Sequence, residues 1–200
     1  MRYFANPSTP KVRDAMTAGL LGAIMTPKQG NRLPDSVEWC ADNGCYGKDY
    51  PGDEGWLTWL EGFAYAADRC AFAVAPDVVA DAAATLEWSL PFLPQIRDLG
   101  YSAAFVAQDG QEHLPVPWGS FDVLFIGGST EWKLGPAARE LVAEAKRRGK
   151  PVHMGRVNSR RRYLYADLIG CDSADGTYIA HGPDKNLSTA LGWTFTLEAS

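Results

Sequence analysis

Six short polar or glycine-bearing segments each close an apolar run in this chain: Asp42-Asn43-Gly44, Asp77, Gln108-Asp109, Gly127-Gly128, Met154-Gly155-Arg156 and Asp172/Asp175. Together they offer several carboxylates, an amide and two glycine turns. Carboxylates that face each other suit chemistry at an anomeric carbon. One attacks C1′ of a sugar, while a second protonates the leaving group and then deprotonates the incoming one. Gln108 offers one acceptor and two donors, which suits the edge of a purine-like base. Glycine at 127 and 128 lets backbone amides approach a planar ligand, and Tyr46, Phe72 or Met154 could sandwich it. Each residue also has an ordinary structural use. Asp and Asn nucleate turns and cap helices, and Met and aromatic side chains fill cores. It is the recurrence at successive run ends that argues for a site.

The elements that must carry these residues alternate. Apolar runs at 2–6, 20–25, 37–42, 71–77, 102–110, 121–128, 151–157 and 170–179 read as strands. Helical patterns separate most of them. Thr9-Pro10 starts one helix and Asp81 caps another, which Pro91 and Pro94 bend or break. The stretches 26–36 and 110–120 read as loops or single turns. Alternating strands and helices imply parallel pairing with right-handed crossovers, and strands apolar on both faces suit a parallel sheet. Eight such units predict one α/β domain over 1–200, a minimal (β/α)8 TIM-like barrel; an open doubly wound sheet is the alternative. In a barrel, catalytic groups sit at the C-terminal strand ends, where these six segments fall.

Composition narrows the class. With 200 residues, 46% hydrophobic, and seven Trp, eight Tyr and eight Phe, the chain is neither disordered nor a disulfide scaffold. No apolar stretch is long enough for a membrane span, and the N-terminus lacks the apolar core of a signal peptide. Cys40, Cys45, Cys70 and Cys171 read as reduced thiols, so a cytoplasmic location is expected. The net charge is -5, yet the segment from Lys133 to Arg162 holds ten basic residues and two acidic ones. That stretch can meet a polyanion. Arg156, Arg160 and Arg161 follow the seventh strand and are the expected nucleic-acid contacts.

The ordered segments resemble the tRNA-guanine transglycosylase superfamily, and most nearly its phage and bacterial branch that places 7-deazaguanines in DNA. Asp42-Asn43-Gly44 is similar to that family's Asp-Ser-Gly-Gly turn, and Ala75-Pro76-Asp77 to its base-holding segment. Phe105 to Gln108 resembles its base-reading strand, and Phe121 to Gly128 the strand ending in Gly-Gly. Met154-Gly155 resembles its Met-Gly cover, and Gly170 to Asp175 the segment that ends in the nucleophile. The resemblance runs from about 37 to 178. It implies Asp175 as nucleophile and Asp42 as general acid/base. It also implies base contacts from Asp77, Gln108, Gly127, Gly128 and Met154.

The expected activity is exchange of guanine in DNA for a 7-substituted 7-deazaguanine through a covalent Asp-deoxyribosyl intermediate. The partners are the free base and a single-stranded or flipped guanine; the oligomeric state is open. The chain departs from the RNA-modifying members in lacking their Cys-x-Cys-x-x-Cys and later His, and His113, His153 and His181 are scattered. No zinc site is therefore expected. Without GxGxxG or GxxxxGK[ST], no nucleotide cofactor is expected either. The alternatives are the same exchange on tRNA, a base- or nucleic-acid-binding protein without turnover, and a deoxyribosyltransferase acting on free nucleosides.

Overall fold

A computed structural model describes residues 1–47 and 49–195. Eight short parallel strands close into a barrel in sequence order. They are β1 (Arg2–Ala5), β2 (Gly22–Met25), β3 (Trp39–Ala41), β4 (Cys70–Val74), β5 (Ala103–Ala107), β6 (Val123–Ile126), β7 (Val152–Met154) and β8 (Ser173–Asp175). Closure is made by β1 against β8, with Arg2, Tyr3 and Phe4 opposite Ser173, Ala174 and Asp175. The sheet is therefore a closed barrel and not an open doubly wound one. The strands are shorter than the apolar runs, because several run-end residues belong to the turns above the ladder. Residues 170–179, for example, yield only the three-residue β8.

Alternation along each strand divides two apolar layers. Phe4, Ile24, Cys40, Phe72, Val74, Ala104, Val106, Val123 and Phe125 fill the barrel interior. Their neighbours, among them Tyr3, Met25, Trp39, Phe105, Leu124, Ile126 and Met154, face the helices. This two-sided burial explains why the strands read as continuous apolar runs.

Eight helices surround the strands among the described residues: α1 (Pro10–Thr17), α2 (Asp53–Gly62), α3 (Ala82–Ser89), α4 (Phe92–Asp98), α5 (Thr130–Lys133), α6 (Pro136–Arg147), α7 (Arg160–Leu168) and α8 (Pro183–Phe195). Several caps follow from sequence. Thr9, Asp81, Ser129 and Ser159 each accept from a first-turn amide. The helix expected after Asp81 is two helices that part at Pro91. Pro94 is tolerated because it sits in the first turn of α4, where a missing N–H costs no intrahelical bond. The segment between β2 and β3 has no helix, and a single 3-10 turn, Gln111–His113, precedes β6. These short connections let 200 residues close a fold that usually takes about 250.

Candidate active site

The strand ends converge on a cleft at the C-terminal mouth of the barrel. Val74, Val106 and Phe125 form its apolar floor, and Asp42, Asn43, Asp77, Gln108, Gly127, Gly128, Arg156 and Asp175 form its polar rim. A wider recess adjoins it and shares Asp42, Tyr46, Arg156 and Asp175. The two carboxylates, Asp42 and Asp175, therefore lie where an inner chamber meets an outer one.

One wall of the inner chamber is a rigid acceptor. Asp77 follows β4, and its Oδ1 accepts from Asn43 Nδ2 at 2.8 Å while its Oδ2 accepts from Gln108 Nε2 at 2.7 Å. Asn43 also donates to the Ala75 carbonyl at 2.8 Å. The Gln108 oxygen accepts from the amides of Gly128 at 2.7 Å and Ala80 at 3.0 Å. Burial pushes the Asp77 carboxyl up and outweighs the opposing pull of the two amide donors and Arg156. Every member of this wall is oriented by another, which is what a buried polar group needs to hold one geometry.

The two other carboxylates are held differently. Asp42 follows β3, and its Oδ1 accepts from the Gly44 amide at 2.7 Å, closing an Asx-type turn. Burial, followed by the nearby Asp175 charge, raises its carboxyl to about 7, against a single opposing bond from Gly44. Asp175 ends β8. Its Oδ1 lies 3.0 Å from His153 Nε2 and 3.3 Å from the Arg156 amide. Asp42 can thus carry a proton near neutrality, which a general acid requires.

The loop after β7 is strained over this site. Arg156 has φ +58°, in the left-handed region that a non-glycine residue rarely adopts. Its guanidinium donates to the Gly128 carbonyl and lies 4.3 Å from the centre of the Tyr46 ring. One side chain so links the loops after β3, β6 and β7. Gly155 must be glycine there, because a Cβ would sit 2.6 Å from the Phe125 ring.

No family model and no curated protein matches the chain. Solved structures do match it. A structure described as native KDPGal has a TM-score of 0.52 and 10% identity, over 88% of this chain and 82% of its own. The carboxyl transferase domain from Rhizobium etli pyruvate carboxylase, with 3-hydroxypyruvate, scores 0.47 at 12% identity, over 88% of this chain and 39% of its own. A GH113 beta-1,4-mannanase complex scores 0.46 at 13% identity, over 84% and 68%. At such identities the likeness is one of fold alone.

Most of the residues singled out from sequence meet at the cleft: Asp42, Asp77, Gln108, Gly127, Gly128, Arg156 and Asp175 all line it. Several expectations need correction. Met154 does not cover a ligand. It is fully buried between the barrel and the helices, because alternation turns its neighbour His153 inward instead. Phe72 lies inside the barrel beneath the cleft, packed on His153. The amides of Gly127 and Gly128 are already bonded, to the Ala107 carbonyl and to Gln108, so they are not free for a base. Asp109 accepts from both the amide and the hydroxyl of Ser129, and so fixes the start of α5. Asp172 belongs to the opposite end of β8, where it pairs with Lys146 at 2.7 Å and accepts from the Val152 amide. Arg160 and Arg161 line neither chamber; Arg162, one position on, lines the outer one.

Two residues were missed. His153 is wholly buried inside the barrel, yet bonds the carboxylate of Asp175. Lys133, also buried, donates to the Gly155 carbonyl at 2.6 Å, and burial lowers its amine to about 7. A usable signal for His153 lay in the parity of Val152-His153-Met154, since a polar residue at an inward position near a strand end points at the mouth.

The raised carboxyl of Asp42 has a consequence for stability. A folded-state value above the ordinary 3.8 means that its contribution is complete below about pH 4 and is lost as pH rises through about 7. Asp42→Asn removes that loss. The difference in Tm, variant minus parent, is therefore expected to grow in the variant's favour between pH 4 and pH 8. Parallel melting curves with a constant difference across that range would contradict it.

Proposed function

We propose that the chain is a base-exchange transglycosylase that replaces guanine in DNA with a 7-substituted 7-deazaguanine. The observation that carries this reading is the pairing of two unlike carboxylates, Asp42 and Asp175, at the entrance of a chamber whose far wall is an oriented acceptor. The resemblance of the ordered segments to guanine transglycosylases supports it.

The proposed mechanism gives each group one place. The Watson–Crick edge of guanine presents two donors, N1–H and the exocyclic amine, and one acceptor, O6. Asp77 accepts the donors, and Gln108, whose Nε2 has a second hydrogen, gives to O6. A free oxygen of Asp175 attacks C1′, and the bond to N9 breaks with its electron pair on the base. Asp42 donates its proton to the departing guanine. The incoming deazaguanine then returns a proton from its N9–H to Asp42 and attacks C1′, while the ester electrons go back to Asp175. Both carboxyls end as they began, and the configuration at C1′ is retained. The flanking sugar-phosphates lie in the outer recess, beside Arg156 and Arg162.

Incubation with labelled 7-cyano-7-deazaguanine and either guanine-containing single-stranded DNA or tRNA tests the reading. Label is expected in the DNA, and Asp175→Asn abolishes it without lowering Tm. The parent's rate of guanine release falls as pH rises above about 7, where Asp42 loses the proton it must donate. Label in tRNA alone moves the activity to RNA, and label in neither, with tight DNA binding, leaves a binding protein. Both outcomes overturn the proposal.

The position of the arginines makes a separate prediction. Replacing Arg156 and Arg162 with Ala is expected to flatten the salt dependence of DNA binding by about one unit per lost phosphate contact. Replacing Arg160 and Arg161 leaves the slope nearly unchanged. The reverse pattern would place the strand along the exposed face of α7.

A further inference from the structure

His153 has no place in the exchange mechanism above, but its surroundings are unusual. The ring is fully buried in the barrel interior, with Phe125 at 4.7 Å, Phe72 at 4.8 Å and Phe4 at 6.0 Å between ring centres. An imidazole in an apolar cage must satisfy both nitrogens. Nδ1 meets the Ser173 hydroxyl at 2.8 Å and Nε2 meets Asp175 Oδ1 at 3.0 Å. Ser173 and Asp175 are two residues apart on β8, so both face inward. The carboxylate oxygen can only accept, which assigns a hydrogen to Nε2; in the neutral ring Nδ1 then accepts from Ser173. The geometry is an ordered relay, Ser173 to His153 to Asp175, reaching from the barrel core to the cleft.

We propose that His153 is the positioning residue that selects the nucleophilic oxygen of Asp175 and assists its departure from the ester; the proposal rests on the exchange reading. With Oδ1 held by His153 and by the Arg156 amide, Oδ2 is left to attack. When the Oδ2–C1′ ester forms, Oδ1 becomes its carbonyl oxygen and the bond to Nε2–H weakens as negative charge leaves the carboxyl. When the incoming base displaces the ester, the C1′–Oδ2 electron pair returns to Asp175 and spreads onto Oδ1, where Nε2–H receives it. No proton leaves His153 in either direction. Its bond is stronger to the released carboxylate than to the ester, so it speeds the second half-reaction.

Two substitutions separate this role from packing. His153→Gln can keep a donor at the place of Nε2, whereas His153→Phe suits the cage and removes the donor. In the Phe variant, release of the covalent adduct by 7-deazaguanine is expected to slow by about 10- to 100-fold, the scale of one hydrogen bond to a charged group. The adduct therefore accumulates, while KM for the incoming base holds and the Gln variant recovers most of the rate. A Phe variant that releases the adduct at the parent's rate overturns the proposal. A second readout needs no turnover. The ¹⁵N resonances of His153 are expected to report an Nε2–H tautomer in the parent, with the Nε2–H signal displaced in Asp175→Asn. A proton on Nδ1 alone overturns the proposal even if the Phe variant fails to fold. A parent that forms neither adduct nor exchange product speaks against the exchange reading itself, and the tautomer still decides whether His153 bonds Asp175.

Discussion

Three carboxyl groups, Asp42, Asp77 and Asp175, are gathered, partly or wholly buried, at one barrel mouth, and the cost of holding them there shapes the cleft. Each is stabilised by a different means. Asp77 has two amide donors, Asp175 has an imidazole and a backbone amide, and Asp42 has little more than the Gly44 amide. Asp42, with so little opposing its burial, is raised to about 7, and burial raises Asp77 as well despite its two donors. The donors differ: both oxygens of Asp77 are fixed by side-chain amides, whereas Asp42 keeps one oxygen unheld, and that difference underlies the proposed exchange.

The loops that carry these groups bear strain in return. A left-handed Arg156 costs on the order of 1–3 kcal/mol. It persists because several contacts fix the segment: Lys133 grips the Gly155 carbonyl, Arg156 grips the Gly128 carbonyl and stacks on Tyr46, and its amide meets Asp175. Lys133 itself is an unusual anchor. Burial works against its charge, and α5, a single turn capped by Ser129, ends at Lys133 and so brings it to the Gly155 carbonyl. The short connections elsewhere in the barrel leave the mouth to be built by these few side chains.

How far the sequence could be read depended on the range of the interaction. Eight apolar runs, the Thr9 and Asp81 caps and the break at Pro91 are local, and each follows from neighbouring residues alone. The candidate carboxylates and Gln108 were legible because a run end marks a barrel mouth. What was not legible depends on closure. Whether Met154 or His153 faces inward is set by the register of β7 against β6 and β8, which pairs His153 with Phe125 and Ser173. The use of Gln108 to bind the Gly128 amide joins residues 20 apart in sequence, and the reach of Arg162 but not Arg161 into the outer recess depends on the rotation of α7. Left-handed backbone at an arginine leaves no trace in composition.

The nature of the bond made by Asp175 decides most directly whether this mouth works as proposed. The protein can be quenched in acid during incubation with single-stranded DNA, digested, and the DNA-linked peptide located by mass spectrometry. The link is expected on the peptide that carries Asp175, through an ester that 7-deazaguanine releases when it is added before the quench. A link on Asp42 or Asp77, or active exchange in which no covalent peptide can be trapped even without the incoming base, would contradict it.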